Sequence, residues 1–319
     1  MSPACTQGWE ALAADPLPWL LDARRPSLLW RVLVELVGRP ADAPAVMRPR
    51  GGASADEPVA TLLADLLPDG RWSTRARSWT PFAGPGWRLV AAVRLGADPA
   101  DPRLAAGAER LLAGLEEGGA VTRSPGGDPS PCTTARLVAA MTRLGLVRDP
   151  RVETLVAWLE ERPGDASGGW TCHHRGHHSR GGCRVTAVAL LEAAADGAER
   201  VRDRLVERAA GALVTALPSR AALGEANLDR TDPAECLWAL ARCGRGYDPR
   251  MRPALLHVQG LQDGAARWPA DSPPPRSLPT GQERARGPSG WVTLRSAVAL
   301  LRWAAEAELP RRFPAKPHG

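Results

Sequence analysis

The chain has 319 residues, 44% of them hydrophobic, and a formal net charge of +6, enough for one large domain or two smaller ones with a sizeable core. Its basic residues are arginines scattered among Asp and Glu, with Lys316 the one lysine, so no basic block or aromatic-basic interleaving marks a nucleic-acid surface. No apolar run approaches the ~20 residues of a membrane span, and twelve Trp against two Phe and one Tyr place tryptophan in repeated, position-specific packing.

The first ~27 residues, "MSPACTQGWEALAADPLPWLLDARRP", carry acids where an export leader has a basic start and an apolar run. The expectation is a cytoplasmic protein, in which thiols stay reduced and the six cysteines serve as thiols or metal ligands. The first helical stretch is "LLWRVLVELVGRP" (28–40), and the turn "PDGRW" follows, ending at Trp72. From residue 86, "GWRLVAAVRLGADPADPRLAAGAERLL" reads as an apolar helix, a Leu-Gly stop, Asp-Pro-Arg and a second apolar helix. The stretch "TTARLVAAMTRLGLVRDPRVETLVAWL" (133–159) has the same grammar. In it Leu137, Val138, Met141 and Leu144 recur at helical spacing, Gly145 fits a C-cap, and Pro150 fits the first position of a helix. Then come "GGWTCHHRGHHSRGGC" (168–183), "CRVTAVALLEAAADG" (183–197), "CLWALARCGRGYDPRMRPALLHVQGL" (236–261), the turn "QDGAARW" ending at Trp268, and "WVTLRSAVALLRWAA" (291–305).

These stretches keep a common ruler. The Asp-Pro-Arg triplets begin at Asp101, Asp149 and Asp248, in steps of 48 and 99, and the turn tryptophans Trp72, Trp170 and Trp268 stand 98 apart. The unit is therefore a helical hairpin plus a Gly-Trp turn, about 49 residues long. No hairpin buries both of its faces alone, so neighbours must stack, either as an open solenoid or as a closed ring with about six inner and six outer helices. The turn tryptophans read as wedges between adjacent hairpins.

Helix pairs alternating with turns such as "DGRW" and "SGGW" resemble the repeats of the prenyltransferase and squalene-cyclase superfamily, over roughly residues 28–305. The resemblance implies an all-α fold, the α/α toroid. The opening "LLDARRPSLLWRVLVELVGRPADAPAV" is similar to the start of a bacterial and archaeal group with a HEAT-like helical lead-in. This divides the chain into residues 1–65, a lead-in packed on the ring, and 66–319, the repeat domain. Two family signatures are missing. There is no Asp-rich DxDD motif for protonating a polyene, and no Asp-x-Cys pair: Asp128 and Asp232 each lie four residues before a cysteine. The resemblance implies an enzyme acting on an isoprenoid or another apolar ligand in the central cavity. The alternative is a non-catalytic lipid-binding, peptide-binding or protein-interaction scaffold.

The chemistry concentrates in 168–183, which holds four of the six histidines and two of the six cysteines. Cys183 opens one inner helix and Cys132 opens the one before it, in the same place. Equivalent starts in stacked hairpins are neighbours, about 10 Å apart, and the loop carrying Cys172 crosses the gap between them. Zinc favours four tetrahedral ligands drawn from thiolate and imidazole. The expected set is Cys132, Cys172, Cys183 and a loop histidine, His178, with His177 as the alternative. Arg175, Arg180 and Arg184 around it are candidates for gripping a diphosphate or carboxylate. On the inner helices, Arg88, Arg136, Glu192, Glu235 and Arg295 are the polar residues that would face a central cavity. Cys236 and Cys243 lie seven apart on one helical face and read as core.

Overall fold

The computed structural model describes residues 8–80, 83–115, 120–122, 127–164, 168–172, 182–197, 203–218, 221, 223, 231–270 and 287–310. Among them the regular structure is helical, with isolated antiparallel bridges at the turns and no longer strand. The helices are α1 (Leu17–Asp22), α2 (Pro26–Glu35), α3 (Pro44–Gly51), α4 (Val59–Leu63), α5 (Pro85–Arg94), α6 (Pro102–Ala113), α7 (Pro131–Arg143), α8 (Pro150–Glu161), α9 (Arg184–Gly197), α10 (Asp203–Thr215), α11 (Pro233–Arg242), α12 (Arg252–Gly260) and α13 (Gly290–Trp303).

Helices α5, α7, α9, α11 and α13 each pack against the next in that series, and α13 packs against α2. The circle closes between α2 and the end of α5, where the Trp30 indole N–H donates to the Gly96 carbonyl at 2.8 Å. Helices α6, α8, α10 and α12 each lie against the inner helix before them and form the outer layer. The fold is an α/α toroid. No helix among the described residues is long and apolar enough to cross a membrane.

Two local devices explain why the hairpin repeats. In the first, Asp101, Asp149 and Asp248 cap the outer segments: each side chain accepts the backbone N–H of the arginine two residues on. The intervening proline sits where its missing N–H costs nothing. The same arginine then pairs with its aspartate, at 2.7 Å in all three copies. In the second, the turn tryptophan lies under the preceding outer or short helix and donates its indole N–H to a carbonyl there. Trp72 donates to Leu62 at 3.1 Å, Trp170 to Leu159 at 2.9 Å and Trp268 to Val258 at 2.7 Å. The wedge reading of these tryptophans matches that placement, since Trp170 and Trp268 are 1% and 0% exposed.

Left-handed glycines end three of the inner helices, α5, α7 and α11. Gly96, Gly145 and Gly244 have φ of 85°, 82° and 65°, and the residue after each reaches back to close the last turn. Their surroundings differ. A Cβ at Gly96 would lie 2.4 Å from the Ser27 carbonyl oxygen, whereas a Cβ at Gly145 would meet nothing within 4 Å. Gly145→Ala should therefore cost the left-handed backbone alone, about 1–2 kcal/mol. Gly96→Ala should cost more, because it also pushes α2 away from α5. Urea unfolding of the two variants checks this: equal losses would mean that the α2–α5 contact does not hold the ring shut.

Candidate metal centre

Three backbone decisions bring the cysteines together. Cys132 is the second residue of α7, after the cap Ser130, whose side chain accepts the Thr133 N–H. Cys183 immediately precedes α9, and its own N–H donates to the Trp170 carbonyl at 2.9 Å. Cys172 follows Trp170 by two residues, so the bond that starts α9 also fixes the strand of chain carrying Cys172. Ser130 and Ser289 make the matching bond to Val121 and Trp268, each at 2.9 Å. Cys183 thus occupies the position of Ser130, not that of Cys132: the two cysteines stand two places apart in the repeat, not in the same place. They still converge because α7 and α9 pack closely along their length.

The Cys132, Cys172 and Cys183 sulfurs all lie within 4.8 Å of one another, and Cys172 Sγ is 3.6 Å from Cys132 Sγ. The three residues are 2%, 2% and 3% exposed. With Val185 they form a small cluster apart from the main core. Zinc–sulfur bonds of ~2.3 Å in a tetrahedron put sulfurs about 3.8 Å apart, so the donor set fits a soft, thiolate-preferring ion. The Cys132 and Cys183 side chains, followed by burial, push the Cys172 thiol far above its ordinary range. The Cys172 sulfur is thereby held as a thiol, and metal capture by it must release a proton.

His177, His178, Arg175 and Arg180 lie outside the described residues. Arg184 points away from the sulfurs: Nε donates to Thr231 Oγ1 and Nη1 to the Ala216 carbonyl, both at 3.3 Å. Cys236 and Cys243 are packed elsewhere, and burial pushes their thiols up to about 12 and about 11; the Cys243 sulfur donates to the Leu191 carbonyl at 2.8 Å.

The ring axis is charged. Arg94 Nε of α5 lies 3.4 Å from Glu192 Oε1 of α9, and Arg94 also pairs with Glu235 of α11. α5 adjoins neither α9 nor α11 in the series of inner helices, so both pairs cross the interior. A second layer joins Arg143 of α7 to Asp196 at 2.5 Å, Arg242 of α11 to Asp196 at 2.6 Å, and Arg242 to Glu35 of α2 at 3.8 Å; Arg31 closes the chain onto Glu35. Trp238 donates to Glu35 at 2.7 Å, and the Arg242 and Arg295 guanidinia lie 5.0 and 5.6 Å from its ring. Burial pulls Arg31 and Arg94 down to about 10. Burial would raise Glu192 and Asp196, but the arginines around them outweigh it and hold both carboxylates below their ordinary range. Arg88 faces elsewhere, pairing with half-exposed Asp65 at 2.8 Å. The sequence reading missed Arg94, Arg143 and Arg242. Their signal was a shared repeat position, two residues before the left-handed glycine.

No protein-family model and no curated protein matches the sequence. Similar solved structures include a single-residue variant of the type II terpene cyclase MstE from Scytonema in complex with geranylgeranyl dihydroxybenzoate, its substrate. That structure is 16% identical, covering 96% of this chain and 99% of that one, with a TM-score of 0.49. The same enzyme without ligand is 17% identical over 95% and 98%, with a TM-score of 0.48. A family 88 glycosyl hydrolase from Bacteroides vulgatus is 10% identical over 89% and 92%, with a TM-score of 0.47. At such distances the likeness says nothing about chemistry, and the ring rests on this chain's own helix packing.

The axial pairs predict an acid limb in stability. A carboxylate whose folded pKa is depressed contributes stability in full above its unfolded value, near 3.9, and loses it as pH falls toward the folded value. Asp196→Asn leaves Arg143 and Arg242 buried without their shared anion and should cost about 3–5 kcal/mol at neutral pH. Urea unfolding from pH 7 to 3 should show the wild type losing stability below about pH 4 and the variant losing less over the same interval.

Proposed function

We propose that this chain is a zinc-holding α/α toroid of terpenoid-cyclase-like architecture, in which the metal is structural and the ring serves as a binding scaffold. The observation that carries the reading is the burial of three cysteine sulfurs within 4.8 Å of one another, delivered by two inner helices and the turn between them. A thiolate-rich, closed coordination shell leaves no position for water and is the usual form of a structural zinc. His178 is the fourth ligand in this proposal, with His177 the alternative. Residues 1–65 are the lead-in, whose α2 supplies one inner helix. A reducing, cytoplasmic compartment suits thiolate ligands.

The finer alternative is an enzyme that acts on an isoprenoid or other apolar substrate in the central cavity, with Arg175, Arg180 and Arg184 gripping a diphosphate. Cyclisation begun by protonation needs a carboxylic acid kept neutral until it acts. Glu192 and Asp196 are held as anions by arginine. That supports a scaffold over a proton-initiated cyclase, whose ligand is an apolar molecule or peptide taken at the ring mouth.

Elemental analysis of purified protein should give about one zinc per chain. Cys132→Ser, Cys172→Ser and Cys183→Ser should each lose it to a similar extent. Stripping the metal removes several kcal/mol of linked folding energy and should lower the Tm by about 10 °C. Protein that purifies without metal and melts identically in chelator would overturn the zinc. Product formed from an isoprenoid diphosphate would favour the enzyme.

A further inference from the structure

The turns ending in Trp72 and Trp268 are each locked from within. In the first, Asp69 accepts the Arg71 N–H at 3.1 Å and its Nε at 2.7 Å. In the last, Asp263 accepts the Arg267 N–H at 2.8 Å and its Nε at 3.1 Å. In both, the arginine immediately precedes the tryptophan. In the turn that carries Cys172 that place is held by Gly169, so this turn has no arginine of its own before Trp170.

An arginine reaches it from outside. Arg208, on α10, donates Nε to the Gly168 carbonyl at 2.7 Å, Nη1 to the Arg162 carbonyl at 2.7 Å and Nη2 to the Gly169 carbonyl at 2.9 Å. Its guanidinium also lies over the Trp170 ring, 4.1 Å from the centroid. One planar fork therefore ties the end of α8 to both glycines and presses on the tryptophan whose carbonyl receives the Cys183 N–H. A guanidinium can hold three carbonyls in fixed directions, whereas a lysine ammonium is a point donor on a flexible stem.

We propose that Arg208 is the positioning residue of the thiol centre: through the Arg162, Gly168 and Gly169 carbonyls it holds the 168–170 turn so that Cys172 meets Cys132 and Cys183. The proposal deepens the metal reading and rests on it for the identity of the ion. The geometric claim, that the Cys172 sulfur is presented and sheltered by this clamp, stands apart from the metal. Other turns supply the control, because Arg267→Ala unlocks an equivalent turn that bears no cysteine.

The test compares wild type, R208A, R208K and R267A by two readouts. One is zinc release to a chelator. The other is the alkylation rate of Cys172 in metal-stripped protein, read by peptide mass spectrometry, with Tm recorded for each variant. R208A and R208K should release zinc roughly 10- to 100-fold faster, the range for residues that orient a ligand without binding the ion. Their Cys172 should also be alkylated faster. R267A should lower the Tm comparably and leave both readouts at the wild-type level. If R208A does not fold, R208K, which keeps the charge and the aliphatic stem, gives the answer. Wild-type alkylation of Cys172 in the Arg208 variants overturns the proposal whatever the metal does. If wild type and the cysteine variants hold no zinc while alkylation still rises in R208A, the metal reading fails and the clamp stands.

Discussion

The structure depends on one backbone hydrogen bond repeated around the ring, from the residue that starts an inner helix to the carbonyl of the turn residue closing the previous hairpin. It runs from Ser130 to Val121, from Cys183 to Trp170 and from Ser289 to Trp268. In two of these turns a threonine one turn into the helix reinforces it, Thr134 accepting the Val121 N–H and Thr293 the Trp268 N–H, each at 3.0 Å. The bond fixes where α7, α9 and α13 begin relative to a buried turn residue, Val121, Trp170 or Trp268. The thiol centre uses this joint: Cys183 is the donor residue itself, and Cys172 is two residues past the acceptor.

The repeat was legible because its punctuation is chemical. Left-handed glycines, capping aspartates followed by proline, and tryptophans after tight turns each have a local reason to occur where they do, so their spacing survives in the sequence even where the helix faces have drifted. The convergence of Cys132, Cys172 and Cys183 followed from the same ruler, with one error of detail. The helix starts were aligned on the two cysteines, whereas the capping serine of α7 aligns with Cys183 and leaves Cys132 two residues inside. The axial charges were harder to see. Arg94 and Glu192 stand 98 residues apart and on inner helices that do not touch in sequence order, so local periodicity registers each as one polar interruption of an apolar face. Glu192, Glu235 and Arg295 were recognisable as inward-facing. Their arginine partners were not, because an arginine at the end of an amphipathic helix ordinarily favours the helix dipole and solvent.

Charges buried this deeply are weak evidence for added stability, because desolvation offsets most of the attraction. Their value in a ring of similar hairpins is different. Apolar inner faces built from Leu, Val and Ala are nearly interchangeable and tolerate slippage of one helix against the next. An Arg–Glu pair across the interior is satisfied in one register only. The two layers, one joining α5, α9 and α11 and the other joining α2, α7, α9 and α11, therefore fix the relative heights of inner helices, α5 against α9 and α11 included, which are not adjacent in the ring.

This separates the two halves of the interior. Toward the C-terminal ends of α7, α9 and α11 the ring is tied by Arg143, Asp196 and Arg242; at the N-terminal ends of α7 and α9 three cysteine sulfurs gather. An ion held by Cys132 and Cys183 would bridge the starts of adjacent inner helices much as Asp196 bridges the ends of α7 and α11. The turn that supplies Cys172 would then be anchored at three levels: its tryptophan under α8, its carbonyl on the start of α9, and its glycines in the grip of an arginine from α10. The first anchor comes from the α7–α8 hairpin and the other two from the α9–α10 hairpin. A metal there would join elements that hydrophobic packing alone leaves free to shift, at a turn whose own arginine is missing.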